Sequence, residues 1–288
     1  MIEAIKPPMG VPLVSVVMAI FNGHRYLGSA IESILGQSFS EFEFIIVDDG
    51  SIDDSLSVAS TYACQDSRIR IAQQKHEGLI SALNRGCGLA RGTYIARFDS
   101  DDIAFPKRLE EQVTYFEGND IALLGGNIEC IDSEGNEMSV IELPRWADGF
   151  KYLLLVNNYI AHTTVMMRKD AFLRSGGYRP QFQQAEDYDL FLRMSESYMI
   201  DNLPSLLCRY RLHDHQVSVE SASQQIISSI GARLAAWARR ANLPEPEWKN
   251  NLVTREALLS CGIKNEKIDL LISNHKMTGV NALTWKGR

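Results

Sequence analysis

From residue 11 to about residue 97, short apolar runs alternate with segments whose apolar residues recur at helical spacing. This is the pattern of β-α units on a mostly parallel sheet. Residues 13–19, rich in valine, read as a buried strand. Residues 26–35 follow as a helix with Leu27, Ala30, Ile31, Ile34 and Leu35 on one face. A second strand, 42–47, stops abruptly at Asp48-Asp49-Gly50-Ser51, where Ser51 is placed to cap a helix starting near Asp53. A third strand, 69–73, leads through Gly78 into a helix over 79–89. A fourth, 93–98, again ends in carboxylates, and Pro106 stands where the first turn of a helix over 108–116 would place it.

After Asn119 the periodicity loosens. Residues 121–124, 128–131 and 164–167 read as strands, and 149–155 and 188–195 as helices. Beyond Val219 the pattern is helical, with breaks at Leu243-Pro244-Glu245-Pro246 and at Gly262. The expected fold is α/β: a Rossmann-like, mostly parallel half (11–118), a mixed half (119–219) and a helical C-terminal region (220–288).

Composition narrows this. The chain has 288 residues, 23% of them charged, the balance of a soluble globular protein. Residues 1–12 lack the apolar core of a signal peptide, and the longest apolar runs, 11–21 and 152–161, fall short of the roughly 20 residues that span a bilayer. The expected location is the cytoplasm. Five cysteines are scattered without a CxxC spacing, which argues against a disulfide framework or a structural zinc site. Residues 1–220 carry 19 basic and 31 acidic side chains, whereas 221–288 carry 10 and 5. The acidic body gives no support to nucleic-acid binding. The basic tail, with Arg233, Arg239, Arg240 and Lys249 beside Trp237, Trp248 and Trp285, is a candidate for peripheral contact with an anionic membrane, although solvated helix faces and core tryptophans would look the same.

Two of the first four strands end in acidic clusters, Asp48-Asp49 and Asp99-Ser100-Asp101-Asp102. In open α/β sheets ligands bind beyond the carboxyl ends of the strands, so both clusters should face one crevice. Carboxylates this dense repel one another, and with only Arg97 and Lys107 nearby a bound Mg²⁺ or Mn²⁺ is the natural offset. Such ions bind one or two carboxylates plus substrate phosphates, which points to a phosphate ester as substrate. Asp and Ser also cap helices and make turns, and either cluster alone would fit that reading.

The motifs taken in order resemble glycosyltransferase family 2, whose members have the GT-A fold. Val14-Ser15-Val16-Val17 with Phe21-Asn22 is similar to the family's opening strand. Ile34-Leu35-Gly36-Gln37-Ser38-Phe39, Val47-Asp48-Asp49-Gly50-Ser51 and Gly78-Leu79 with Ala82-Leu83-Asn84-Arg85-Gly86 follow at the family's spacing. Gly92-Thr93-Tyr94-Ile95 then leads to Asp99-Ser100-Asp101-Asp102, the DxD region, and to Pro106-Lys107-Arg108-Leu109.

This resemblance implies transfer of a sugar, with inversion, from a nucleotide-diphosphate donor, a UDP-sugar by preference, to a glycan or lipid-linked acceptor in polysaccharide biosynthesis. By the same match Asp49 reads the base, Ala19 and Asn22 line the nucleoside pocket, and Asp48 supports it. Asp99 lies near the ribose and metal, and Asp101 is the direct ligand of Mn²⁺ or Mg²⁺. Glu186-Asp187, opening a helical run, matches the acceptor-side acidic motif, with Asp187 as general base and Glu186 as its alternative or as a holder of acceptor hydroxyls. The pair would also suit a helix N-terminus with no chemistry attached. Tyr210-Arg211-Leu212-His213, followed by Gln216-Val217-Ser218, resembles the closing segment. There Arg211 would neutralise a phosphate and His213 would be a further metal ligand, with His215 as a nearby competitor; His162 falls under the acceptor site. The Gln-x-x-Arg-Trp motif of the membrane-embedded polymerases is missing, which leaves transfer of one sugar or a few. The rival readings are a non-catalytic binding protein on a decayed transferase fold and a sugar nucleotidyltransferase. Ile20-Phe21-Asn22-Gly23-His24 does not resemble the latter's Gly-rich loop.

Overall fold

The computed structural model describes residues 10–145, 149–213 and 222–278. Strand β1 (Val14–Ile20) pairs in parallel with β2 (Phe42–Asp48) on one side and β4 (Tyr94–Phe98) on the other, and β3 (Ile69–Gln73) adds in parallel to β2. Helices α1 (His24–Leu35), α2 (Ser55–Gln65) and α3 (Leu79–Leu89) make the crossovers. With helices on both faces, every residue of β2 is buried, which is why the strand reads as a continuous apolar run. Val14, Val16 and Met18 pack with Leu27, Ala30, Ile31 and Ile34 of α1. Val17, Ile45 and Val47 pack on the opposite face with Ala82, Leu83 and Cys87 of α3. Truncating one of these fully buried side chains, as in Ile34→Ala, costs about 2–5 kcal/mol.

The chain reverses direction across the sheet after β4. Strand β8 (Met166–Arg168) runs antiparallel to β4, and β6 (Leu123–Ile131) antiparallel to β8. Strand β9 (Ile200–Arg211) is parallel to β6, and the short β5 (Ile103–Ala104) closes the order β3-β2-β1-β4-β8-β6-β9-β5. Strand β7 (Glu137–Ile141) pairs with β6 off this path. The α/β expectation holds, with the mixed half beginning at β8.

Three local expectations change. Residues 121–124 and 128–131 are not separate strands but largely one, β6, interrupted by a bulge against β9 at Gly126 and Asn127. A Cβ on Gly126 would lie 2.5 Å from Leu207 Cδ1, so only glycine permits this approach. The twelve-residue β9 has no counterpart in the sequence reading, because Pro204 and Ser205 break its pattern; they fall in the bulge, where proline costs no ladder hydrogen bond. Ser51 does not cap α2. That helix starts at Ser55 without a side-chain cap, and Ser51 Oγ instead accepts from the Asn22 backbone N–H over 3.1 Å.

Helix α4 (Arg108–Gly118) backs the sheet, and α5 (Phe150–Leu153) and α6 (Lys169–Arg174) are single turns or little more. Helix α7 (Glu186–Ser197) packs on α8 (Ala222–Arg240), with α9 (Arg255–Ser260) and α10 (Asn265–Thr278) beyond. Ile227, Ile230 and Ala235 of α8 and Leu258 of α9 belong to the same core as Val17 and Ile95. Among the described residues no helix is long and apolar enough to cross a membrane.

Candidate active site

A cleft of about 1620 Å³ opens beyond the carboxyl ends of β1, β2 and β4. The first strand of the mixed half joins the sheet there, the switch point at which α/β sheets bind ligands. Ala19, Asn22, Asp49, Asp99, Asp101 and His213 line it from one side, and His162, Glu186 and Asp187 from the other. Asp48 and Arg211 stand behind the wall.

At the β2 end, Gly50 takes φ +77°, and a Cβ there would lie 2.9 Å from the His76 backbone nitrogen. This turn brings the 74–78 loop onto Asp49, which is 2% exposed. Its Oδ1 accepts from Gln74 Nε2 (2.7 Å) and the Glu77 N–H (3.0 Å). Oδ2 accepts from the Gly78 N–H (2.9 Å) and lies 2.8 Å from His76 Nδ1. Four partners match the acceptor capacity of a carboxylate, so Asp49 organises the loop as it stands. The imidazole of His76 also stacks on Phe21, centroids 3.9 Å apart. Asp48 Oδ1 accepts the Ser51 N–H, and Asn22, in the left-handed region at φ 51°, accepts from the Ile52 N–H. Together they lace the β1 and β2 loops into one wall.

At the β4 end, Asp99 and Asp101 share the cleft but not a partner. Asp99 is paired with Arg97, a buried cation whose Nε has no hydrogen-bond partner among the described residues. Burial disfavours the charge of Arg97, but Asp99 more than restores it. Asp101 Oδ2 lies 3.0 Å from His213 Nε2, whose ring leans on Tyr26. Among the described residues no three His, Cys, Asp or Glu side chains converge to hold a metal by themselves. One carboxylate beside one imidazole nevertheless suits Mn²⁺ whose remaining positions are taken by phosphate and water oxygens. Asp102 faces inward, fully buried. Its Oδ1 accepts the Arg211 N–H over 2.9 Å, and burial with the neighbouring Asp101 and Asp99 charges pushes the carboxyl well above the usual range.

Arg211, expected to meet a phosphate, is turned away from the cleft. Its Nε donates to the Asp101 carbonyl (2.9 Å), its Nη1 to those of Asp132 and Ser133, and its guanidinium lies 4.4 Å over the Tyr26 ring. It fixes the backbone that presents Asp101. His215 and residues 216–218 lie outside the described residues.

Across the cleft, Glu186 and Asp187 occupy the first turn of α7. The helix is anchored by its third acid, Asp189, which is fully buried between Arg179 and Arg193 at 2.5–3.0 Å. Burial raises Asp187 to about 6, opposed by the Tyr188 N–H, Arg97 and Asn158, whose Nδ2 donates to Asp187 Oδ2 over 3.0 Å. Burial, then the Asp187 charge, raises Glu186 to about 7. Two adjacent carboxyls poised near neutrality in a cleft have the form of proton-transfer groups. His162 Nε2 lies 2.9 Å from Tyr178 Oη, and burial, then Arg97, keeps the imidazole neutral well below its usual range. Asn158, like His76 and Tyr26, is a cleft residue that sequence reasoning missed. Its signal was the Asn157-Asn158 pair interrupting an apolar run.

The family model described as Glycosyl transferase family 2 matches residues 15–176. The chain is similar to the O-antigen biosynthesis glycosyltransferase WbnJ of Escherichia coli, 36% identical over 227 residues, covering 77% of this chain and 88% of WbnJ. Among solved structures, it is similar in fold to S. aureus TarS 1–349 in complex with UDP-GlcNAc, with TM-score 0.60 at 16% identity over 84% of this chain and 76% of that one. The mannosyltransferase PcManGT of Pyrobaculum calidifontis, in complex with GDP-Man and Mn²⁺, superposes with TM-score 0.59 at 14% identity over 96% and 83%.

Proposed function

This chain belongs to glycosyltransferase family 2 and is a glycosyltransferase with the GT-A fold, and from that premise we propose that it is an inverting enzyme using a nucleotide-diphosphate sugar, a UDP-sugar by preference, in cell-surface glycan biosynthesis. The observation that carries this reading is the pairing, across one cleft, of Asp101 with His213 on one wall and Asp187 with Asn158 on the other.

The nucleoside lies at the Phe21, Asn22 and Asp49 end. A ring N–H of the base takes the place of His76 Nδ1 on Asp49 Oδ2, since His76, more than half exposed, is the partner most readily displaced. The diphosphate lies at Asp101 and His213, which would hold Mn²⁺ or Mg²⁺; that ion would stabilise charge on the leaving diphosphate. Asp99 is held towards the same end by Arg97. Asp187 accepts the proton of an acceptor hydroxyl as its oxygen bonds to the anomeric carbon. The bond from that carbon to the diphosphate oxygen breaks on the opposite face, its electron pair leaves with the nucleoside diphosphate, and configuration inverts. Glu186, titrating higher than its neighbour, stays protonated longer and donates a hydrogen bond to an acceptor hydroxyl. The acceptor is a saccharide hydroxyl, free or lipid-linked.

Incubation with a panel of nucleotide sugars and mass-spectrometric scoring of released nucleoside diphosphate tests the reading. UDP-sugars should turn over fastest with Mn²⁺ present. Absence of turnover and of thermal stabilisation by any nucleoside diphosphate, with or without Mn²⁺, would refute it.

A further inference from the structure

Adjoining the cleft, whose rim it shares at Val156 and Arg233, one face of the chain is built from two segments distant in sequence. On α8, Arg233, Trp237 and Arg240 are spaced four and three residues apart and so share one stripe of the helix. Both arginines reach the same neighbouring segment: Arg233 Nη1 donates to the Val156 carbonyl and Arg240 Nη2 to the Lys151 carbonyl, each over 3.0 Å. Trp237 is thereby held beside residues 151–156 with 63% of its surface exposed, and Tyr152 and Val156 of that segment are 59% and 64% exposed. Lys151 Nζ stands 5.3 Å over the Tyr152 ring. Two aromatic side chains and a valine thus face solvent together, flanked by three cations.

The charge of this face runs against that of the molecule. The chain has 36 acidic residues to 29 basic, yet residues 149–169 and 222–244 contain no Asp or Glu. Glu196, the acid that acts on Arg240, is bound by the Arg239 guanidinium through three hydrogen bonds. A second copy is a poor occupant, because a two-fold contact would set these cations against one another. Tyr and Trp rings beside Lys and Arg are the composition that settles at the headgroup level of a bilayer.

We infer that the Tyr152, Val156 and Trp237 face rests on an anionic lipid bilayer. The acidic body is repelled from such a surface, so the same charge pattern that binds this face also orients the molecule on it. Its position bears on the site. Asn158, which holds Asp187, is two residues beyond Val156, and the Tyr188 hydroxyl donates to the Leu154 carbonyl. Asn157, Ser229 and Arg233 line the adjoining end of the cleft. On the bilayer, the proposed base would stand directly behind the membrane face, so the acceptor class is a lipid-anchored saccharide rather than a free one. That last step rests on the transferase reading above; bilayer binding does not.

The test is co-sedimentation of the full chain with phosphatidylglycerol–phosphatidylcholine vesicles and with phosphatidylcholine vesicles alone. Wild type should partition at least tenfold better onto the anionic vesicles at low salt, with most of the gain lost at about 1 M salt. Trp237→Ser/Tyr152→Ser, which alters only exposed side chains, should lose that gain tenfold while keeping its circular dichroism and its stabilisation by UDP and Mn²⁺. Equal partitioning of wild type on both vesicles, or equal binding by the double variant, overturns the inference. So does a wild-type dimer that the double substitution dissociates without any vesicle binding. Failure of the transferase reading would appear instead as absent nucleotide-sugar turnover without vesicles, leaving partitioning unchanged.

Discussion

Asn158 Nδ2 donates to Asp187 Oδ2 over 3.0 Å, fixing the carboxylate in orientation while burial raises it to about 6. The amide favours the ionised form, so it opposes the burial. Transfer should therefore fall about tenfold per pH unit below about 6, as the base is lost to protonation. Asn158→Ala removes a donor to the carboxylate and should move that acid limb to higher pH. Asp187→Asn should keep donor binding and lose on the order of 10²–10⁴ in turnover. The measurement is kcat/KM against pH for the three proteins. An unshifted limb in Asn158→Ala would separate the amide from the base, and full turnover by Asp187→Asn would remove Asp187 from the chemistry.

Glu186 should cost the fold stability. Its carboxyl titrates at about 7 in the folded chain against an ordinary value of 4.5, so the native state binds the proton more tightly than the unfolded state. The sign follows: the penalty is absent below about 4.5, grows as pH rises to about 7, and is constant above. Glu186→Gln should raise the thermal midpoint at pH 8 by a few degrees, on the order of 1–3 kcal/mol, with no gain at pH 4. A midpoint that falls at pH 8 would mean that the ionised carboxylate is itself a structural partner.

Much of this site was legible because its residues sit at the ends of strands with unambiguous periodicity. The runs that became β1 to β4 carry Ala19, Asp49, Asp99 and Asp101 to one edge of a parallel sheet, and the crevice follows from topology. What each side chain does there was less legible. Arg211 and Asp101 are 110 positions apart, and only the pairing of β9 with β5 and β6 brings the guanidinium onto that carbonyl. Glu186-Asp187-Tyr188-Asp189 offers three acids at a helix start, and nothing in the local pattern separates the buried anchor Asp189 from the two that face the cleft; Arg179 and Arg193 do so in space. The C-terminal tryptophans, alike in sequence, divide the same way. Trp248 packs edge-on against Phe182 and Trp237 is exposed, while Trp285 lies outside the described residues.

Arg211 should act on the metal through Asp101. In Asp101→Ala, UDP should stabilise the protein equally with and without Mn²⁺, because the metal-dependent part of the thermal shift is lost. Arg211→Gln leaves the carboxylate in place but frees its backbone and the Tyr26 ring. A partial loss of the Mn²⁺ increment is expected, with about 1–3 kcal/mol of destabilisation from the carbonyls left unpaired. Full Mn²⁺ dependence in Asp101→Ala would remove that residue from the metal site.

The last expectation separates Asp49 from His76, which share a contact of 2.8 Å. Asp49 is buried and carries three further donors from the 74–78 loop, so Asp49→Ala strands buried N–H groups. It should lose both stability, by about 2–4 kcal/mol, and UDP binding. If a base N–H replaces the imidazole on Asp49 Oδ2, then His76→Ala removes a competitor and a stacking partner of Phe21 that must move aside. UDP should then bind as tightly as to wild type or a few-fold tighter, by calorimetric titration. A clear loss of affinity in His76→Ala would mean that the imidazole stays beside the base, and that Asp49 shapes the pocket without touching the nucleotide.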